Sequence, residues 1–202
     1  MTKLADLTRL VSAIVPDVAE PVVQEAIIRA AMRFFTETKT WREEIEVDRP
    51  RKDAYITEML APRGAEIVAV LDASINHRPI QLAGDENMEV PRPGTYITSV
   101  YGQGQELFFN GRFGGAEKVY IRCALRPFLS ATAIPDRVLS EYQDILISGG
   151  VMETMRMNPA AWNNPQMMDY YRSEFLNGIE RNRNRGRSGR THAARTVSYG
   201  GI

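Results

Sequence analysis

Apolar residues recur at two different spacings along this chain, and the spacing changes at Trp41. Before it, Val23, Ala26, Ile27, Ala30, Met32 and Phe34 make a broad apolar face, and Glu25, Arg29, Arg33 and Glu37 make the opposite one. That is the period of an amphipathic helix. Pro21, shortly after Asp17, suits the first helical turn, where its missing N–H has no partner to lose. The pattern predicts a helix running to about Lys39, with a shorter one over 4–15 packed against it.

From Trp41 the period is two. Trp41, Glu43, Ile45 and Val47 alternate with Arg42, Glu44, Glu46 and Asp48, as in a strand with one covered face. Further strand-like runs lie at 54–60, 67–71, 78–82, 96–101 and 105–109. Residues 67–71 are apolar on both faces, which predicts a buried central strand. Val119, Ile121, Cys123 and Leu125 form the inward face of a last strand. Proline and glycine clusters at 91–94, 102–104 and 111–115 separate these runs. Residues 41–128 therefore read as an antiparallel sheet or small sandwich.

Helical spacing returns at Pro135-Asp136, with Leu139, Tyr142, Ile145, Leu146 and Gly149 as the inner stripe. Gly149-Gly150 costs about 1 kcal/mol per glycine relative to alanine inside a helix. The pair implies either close helix contact or a break. Asn158-Pro159 ends this helix, because a residue before proline is pushed out of the α region. Asn164-Pro165 then reads as an N-cap followed by proline at the first helical position. Met168, Tyr171, Phe175 and Ile179 share one face of the helix that follows.

The expected fold is α+β. N- and C-terminal helices (1–40 and 129–180) form a small helical bundle, an antiparallel sheet or small sandwich (41–128) is inserted between them, and 181–202 is a disordered or extended C-terminal arm.

Charge changes the picture at the arm. The chain has 202 residues, 25 basic and 25 acidic, with no net charge. Residues 181–202 hold Arg181, Arg183, Arg185, Arg187, Arg190 and Arg195 and no acid, leaving 19 basic against 25 acidic residues elsewhere. An acidic body with a basic arm is the strongest charge signal. So polar a segment cannot bury apolar surface, and it is expected to stay disordered until a partner orders it. It carries no interleaved aromatics, which argues against base stacking on single strands. No apolar run approaches the ~20 residues that span a bilayer, and the N-terminus is broken by Asp6 and Arg9, unlike a secretory signal.

Candidate chemistry is sparse. His77 and His192 are the only histidines, and Cys123 the only cysteine, so no zinc-ligand spacing exists and no intrachain disulfide can form. Cys123 lies on an apolar strand face and reads as a buried structural thiol. Gly102-Gln103-Gly104 lacks the third glycine of a dinucleotide fingerprint and reads as a hairpin tip. No nucleophile–base pair can be assembled without recruiting a poorly placed histidine. The expectation is a structural subunit with no catalytic, metal or cofactor site. Glu44, Glu46 and Asp48 share one strand face, which reads as a solvated face or, repeated round a ring, as an acidic lumen wall that would not adhere to DNA.

One resemblance adds to this. The stretch Pro16-Asp17-Val18-Ala19-Glu20-Pro21-Val22-Val23-Gln24-Glu25-Ala26-Ile27, with Phe34-Phe35 and Thr40-Trp41-Arg42-Glu43-Glu44, resembles the opening of tailed-bacteriophage head-to-tail adaptor proteins, also called head-completion, neck or tail tubular proteins. The second half agrees through 136–150, Met157-Asn158-Pro159 and the Trp162-Asn163-Asn164-Pro165 linker. The resemblance covers the terminal thirds by pattern and the middle by architecture. It implies a homo-oligomeric, dodecameric ring beneath the portal protein, bound to a tail or nozzle protein on its other side. Viral DNA would transit the lumen without sequence-specific binding. It implies residence in the virion at the head–tail junction, after assembly in the host cytoplasm, with no membrane. It casts the six tail arginines as a portal-binding arm and Glu44, Glu46 and Asp48 as lumen surface. The alternatives are a tail-terminator or other neck ring, or a nucleic-acid-binding protein using its arginine-rich tail.

Overall fold

The computed structural model describes residues 3–47, 56–83, 97–103, 106–113, 117–131, 134–157 and 164–188. The first helix, α1 (Lys3–Ile14), leads into α2 (Glu20–Thr38), with Pro21 in the opening turn. Lys39 stops α2 by turning left-handed (φ 54°) and donating its N–H to the Phe35 carbonyl at 3.0 Å. Seven strands follow: β1 (Arg42–Val47), β2 (Ile56–Glu58), β3 (Ala65–Ile75), β4 (Arg78–Leu82), β5 (Ser99–Gln103), β6 (Glu106–Phe109) and β7 (Val119–Pro127). The chain closes with α3 (Asp136–Glu141), α4 (Gln143–Met157) and α5 (Pro165–Ser188).

The expected small inserted antiparallel sheet between a terminal helical bundle is overturned. The strands form a seven-stranded mixed sheet, ordered β1-β7-β3-β4-β5-β6-β2, curled into a half-barrel. The pair β4–β5 is parallel, with Gln81 opposite Ser99 and Leu82 opposite Val100. Nor do the helices stand apart as a bundle. The last strand, β7, pairs with β1 on one side and β3 on the other, and α2 lies across it. Local periodicity predicted most strands, but it carries no information on which strand pairs with which. Here the pairing draws the two ends of the strand region together, and α2 joins the helical layer to the sheet at β7.

One hydrophobic cluster runs from helices to sheet. It joins Leu7 and Val11 of α1, Ile27, Phe34 and Phe35 of α2, Ile121 and Leu125 of β7, Leu146 of α4 and Phe175 and Ile179 of α5. An aromatic knot ties the layers. Phe35 meets Trp41 edge-on at 5.7 Å, and Tyr142, at the α3–α4 joint, packs on Phe34 at 5.0 Å and Phe35 at 5.8 Å.

The break in the fourth-helix pattern falls at Tyr142, and α4 passes straight through Gly149-Gly150. The glycines are there for contact. Gly149 faces Ala30 of α2 and Phe175 of α5, and Gly150 faces Ile27 of α2. Residues 149–155 of α4 are buried, so this helix is the central post of the helical layer.

Residues 67–71 do not form a fully buried strand. They are half-buried, and β3 slips register against β7 twice, between Ile67 and Ala69 and between Val70 and Asp72. Each slip is a bulge that re-aims the side chains beyond it. An apolar run broken by bulges reads in sequence like a continuously buried strand.

Candidate functional site

The outward face of the sheet centres on β7. Its alternation buries Val119, Ile121 and Cys123 inward and turns Tyr120, Arg122 and Arg126 outward. Register then decides the neighbours. From β1, Glu46 lies opposite Tyr120 and Glu44 opposite Arg122. From β3, Asp72 lies opposite Arg122 and Glu66 opposite Arg126. Acidic strands thus flank a basic one. Lys118 Nζ meets Glu46 at 3.4 Å, Arg122 meets Asp72 at 3.1 Å and Arg126 meets Glu66 at 2.6 Å. Each pair is solvated and contributes at most about 1 kcal/mol. Their effect on the surface potential is larger, because Glu46 has a cation beside it and Glu44 faces one across the ladder. Asp48, the third residue of the expected acidic stripe, lies outside the described residues.

The β3–β4 turn overhangs this face. Asn76 and His77 both take positive φ, 50° and 62°. Such a pair matches the right-handed twist of a two-residue hairpin. Asn76 Oδ1 accepts from the Lys118 N–H at 2.9 Å, and its own N–H donates to the Lys118 carbonyl at 2.8 Å. His77 stacks on Tyr120 at 4.7 Å with the rings 17° from parallel. A shallow hollow of about 140 Å³ is lined by Glu44, Asp72, Ser74, His77, Tyr120 and Arg122. Among the described residues, Arg122 Nε is a buried side-chain polar atom without a hydrogen-bond partner.

Over residues 181–188 the structure corrects the expectation of a disordered arm; 189–202 lie outside the described residues. Asn164 caps α5, its Oδ1 accepting from the Met167 N–H at 3.1 Å. The helix runs on to Ser188, so residues 181–188 are helical. Phe175 and Ile179 anchor α5 in the core, and Asn182 is buried with Nδ2 donating to the Gly178 carbonyl at 2.9 Å. A helix already nucleated by packing extends cheaply through arginine, which is a good helix former. Arg181 is exposed. Arg183 is held within the molecule, donating to Glu37 of α2 at 2.7 Å and to Glu180 at 2.6 Å. Arg185 and Arg187 lie on the helical backbone. Arg190, Arg195 and His192 lie outside the described residues.

Cys123 is fully buried, and desolvation pushes its thiol up from 9.0 to about 12, so it stays protonated and unreactive near neutrality. Gly102 and Gln103 lie within β5, Gln103 opposite Glu106, while Gly104 lies outside the described residues. Among the described residues, no group of three His, Cys, Asp or Glu side chains could hold a metal ion, and no helix is long and apolar enough to cross a membrane.

Sequence reasoning missed Asp72, Lys118, Tyr120 and Arg122 as parts of this surface. The signal present was the outward alternation Lys118, Tyr120, Arg122. Their partners are far away in sequence, Asp72 fifty residues before Arg122. No protein-family model and no curated protein matches the chain.

Proposed function

We propose that this chain is the subunit of a phage head-to-tail adaptor ring. It docks under the portal protein, receives a tail or nozzle protein on its far side, and lets DNA through its lumen. The observation that carries the reading is the construction of α5. Its middle is fixed in the core by Phe175 and Ile179, and its last turns carry Arg181, Arg183, Arg185 and Arg187 at every second position, with Arg181 exposed. A rigid root with a basic end suits docking on another protein's acidic surface, because a root already held in the core has little freedom left to lose on binding. The resemblance of the terminal thirds to adaptor proteins points the same way. The outward face bearing Glu44 and Glu46 serves as lumen surface in this reading, with cations interleaved so that it is mildly rather than strongly repulsive toward DNA.

The test is to mix the full chain with purified portal particles and image them. Added density capping one end of the portal is expected. Absence of capture, together with tight, salt-sensitive duplex binding by the chain alone, would transfer the proposal to a nucleic-acid-binding protein.

A further inference from the structure

The sheet ends on β2, and this end carries features that pairing within the chain does not explain. Register puts Ile56 opposite Phe108 of β6, and Phe108 opposite Tyr101 of β5. Leu107 and Phe109 alternate with Phe108 and are buried, so the row Ile56, Phe108, Tyr101 lies on the face turned away from the core. The Phe108 and Tyr101 rings pack at 6.2 Å and are half-buried. Ile56 is 38% exposed, and Leu60, just past the strand, is 68% exposed. An apolar row thus crosses three strands and reaches the edge of the sheet uncovered.

The neighbouring row carries charge of one sign. Glu58 lies directly opposite Glu106, both are exposed, and neither makes an ion pair or a side-chain hydrogen bond among the described residues. Like charges directly opposite on an antiparallel pair are destabilising. Elsewhere on the sheet Glu46, Glu66 and Asp72 each have a cation within reach. The Glu58–Glu106 pair is left with its repulsion, which a cation from outside would relieve.

The edge itself is open. β2 is the last strand of the sheet, so its outer side faces no strand among the described residues. Alternate N–H and C=O groups of such a strand point outward and form a template for another strand. We infer that β2 accepts an added strand from a different protein, with a lysine or arginine beside Glu58 and Glu106 and an apolar residue two positions along, beside Ile56. The other free edge of a second copy does not fit. That edge is β1, which brings Glu44 and Glu46 on its outward face, and the arginine of that face, Arg42, already donates to the Lys39 carbonyl at 3.0 Å. In the sheet, β3, β4, β5 and β6 separate β2 from β7, where α2 joins the helical layer. The inference rests on the ring reading only for the partner's name: α5 serves the portal, and the β2 edge serves the tail-side protein.

Peptide titration of the isotope-labelled full chain, followed by NMR, tests it. The probe is a short threonine-rich peptide with lysine and valine two positions apart, and its control has glutamate in place of lysine. The lysine peptide should shift the backbone amides of 56–58 and bind about ten-fold more tightly than the control. The double variant Glu58→Lys with Glu106→Lys should reverse that order. Equal binding of the two peptides to the parent chain, or unmoved β2 amides at millimolar lysine peptide, overturns the inference. So do β2 amide shifts that grow with protein concentration alone, which would assign the edge to a second copy. Portal capture is read separately by imaging, so failure of the ring reading leaves the peptide result standing.

Discussion

Gly149→Ala should destabilise the protein, although alanine is the better helix former. A Cβ built on Gly149 would lie 2.7 Å from Ala30 Cβ and 2.7 and 2.8 Å from two ring carbons of Phe175. Carbon atoms pack best at roughly 3.5–4.0 Å, so the new methyl overlaps by about 0.8 Å on both sides. Neither neighbour yields easily. Ala30 Cβ is fixed to the α2 backbone, and the Phe175 ring is fully buried. Overpacking of this kind costs about 1–3 kcal/mol, and a two-sided overlap belongs at the upper end. Against it stands a gain of about 1 kcal/mol from removing a mid-helix glycine. The net expectation is a loss of about 2 kcal/mol, or roughly 4–8 °C in Tm for a domain of this size.

Thermal and urea unfolding followed by circular dichroism would measure it, with the urea m-value unchanged. A second variant checks the cause. Adding Ala30→Gly to Gly149→Ala removes one of the two obstructions, so the double variant should be less destabilised than the sum of the singles by about 0.5–1 kcal/mol. A rise in Tm for Gly149→Ala, which propensity alone predicts, would refute the close crossing of α2, α4 and α5.

Further outcomes follow from the same contacts. Cys123 has a folded value of about 12 against 9.0 unfolded, so the folded state holds the extra proton between them. Its contribution to stability is whole below pH 9 and falls by about 1.4 kcal/mol per unit above it, and the stability gap between the parent and Cys123→Ala should shrink from pH 8 to pH 10.5 in urea titrations. Truncation after Ser188 should leave the urea midpoint within about 0.5 kcal/mol of the parent, whereas truncation after Glu180 removes Asn182 and Arg183 and should cost about 1–2 kcal/mol. Equal stability of the two truncations would mean that 181–188 contributes no packing. Asn76→Ala puts a Cβ-bearing residue without a local partner at φ 50° and removes the acceptor for the Lys118 N–H, so a loss of about 2 kcal/mol and faster exchange of that amide are expected.

The helices were legible because their cues are local. Pro21 and the Asn164-Pro165 cap mark two starts, and the Phe175–Ile179 face needed only its own spacing to be recognised. Gly149-Gly150 left two readings open, and only the arrival of Ala30 and Phe175 from other helices distinguishes contact from break. Sheet order was illegible for the same reason. The bulges at Val68 and Leu71 arise from pairing with β7, some fifty residues on, and nothing within 67–71 reports them. The parallel β4–β5 pair likewise depends on how the chain returns between them.

The charge signals show how far a linear reading carries. In sequence, the acids of β1 and the arginines of the tail are opposite and separate features. In the fold, both are partly engaged by their surroundings. Glu46 meets Lys118, and Arg183 is pinned on Glu37. The described residues of these runs left to act outward are therefore fewer than the runs suggest: Glu44 on the sheet and Arg181 on α5. A net charge counted along a segment overstates what a partner meets, because pairing removes charge from whichever side chains the fold brings within reach. Under the proposed docking role, Arg181→Ala should therefore weaken capture more than Arg183→Ala, because the Arg183 guanidinium is already held by Glu37 and Glu180.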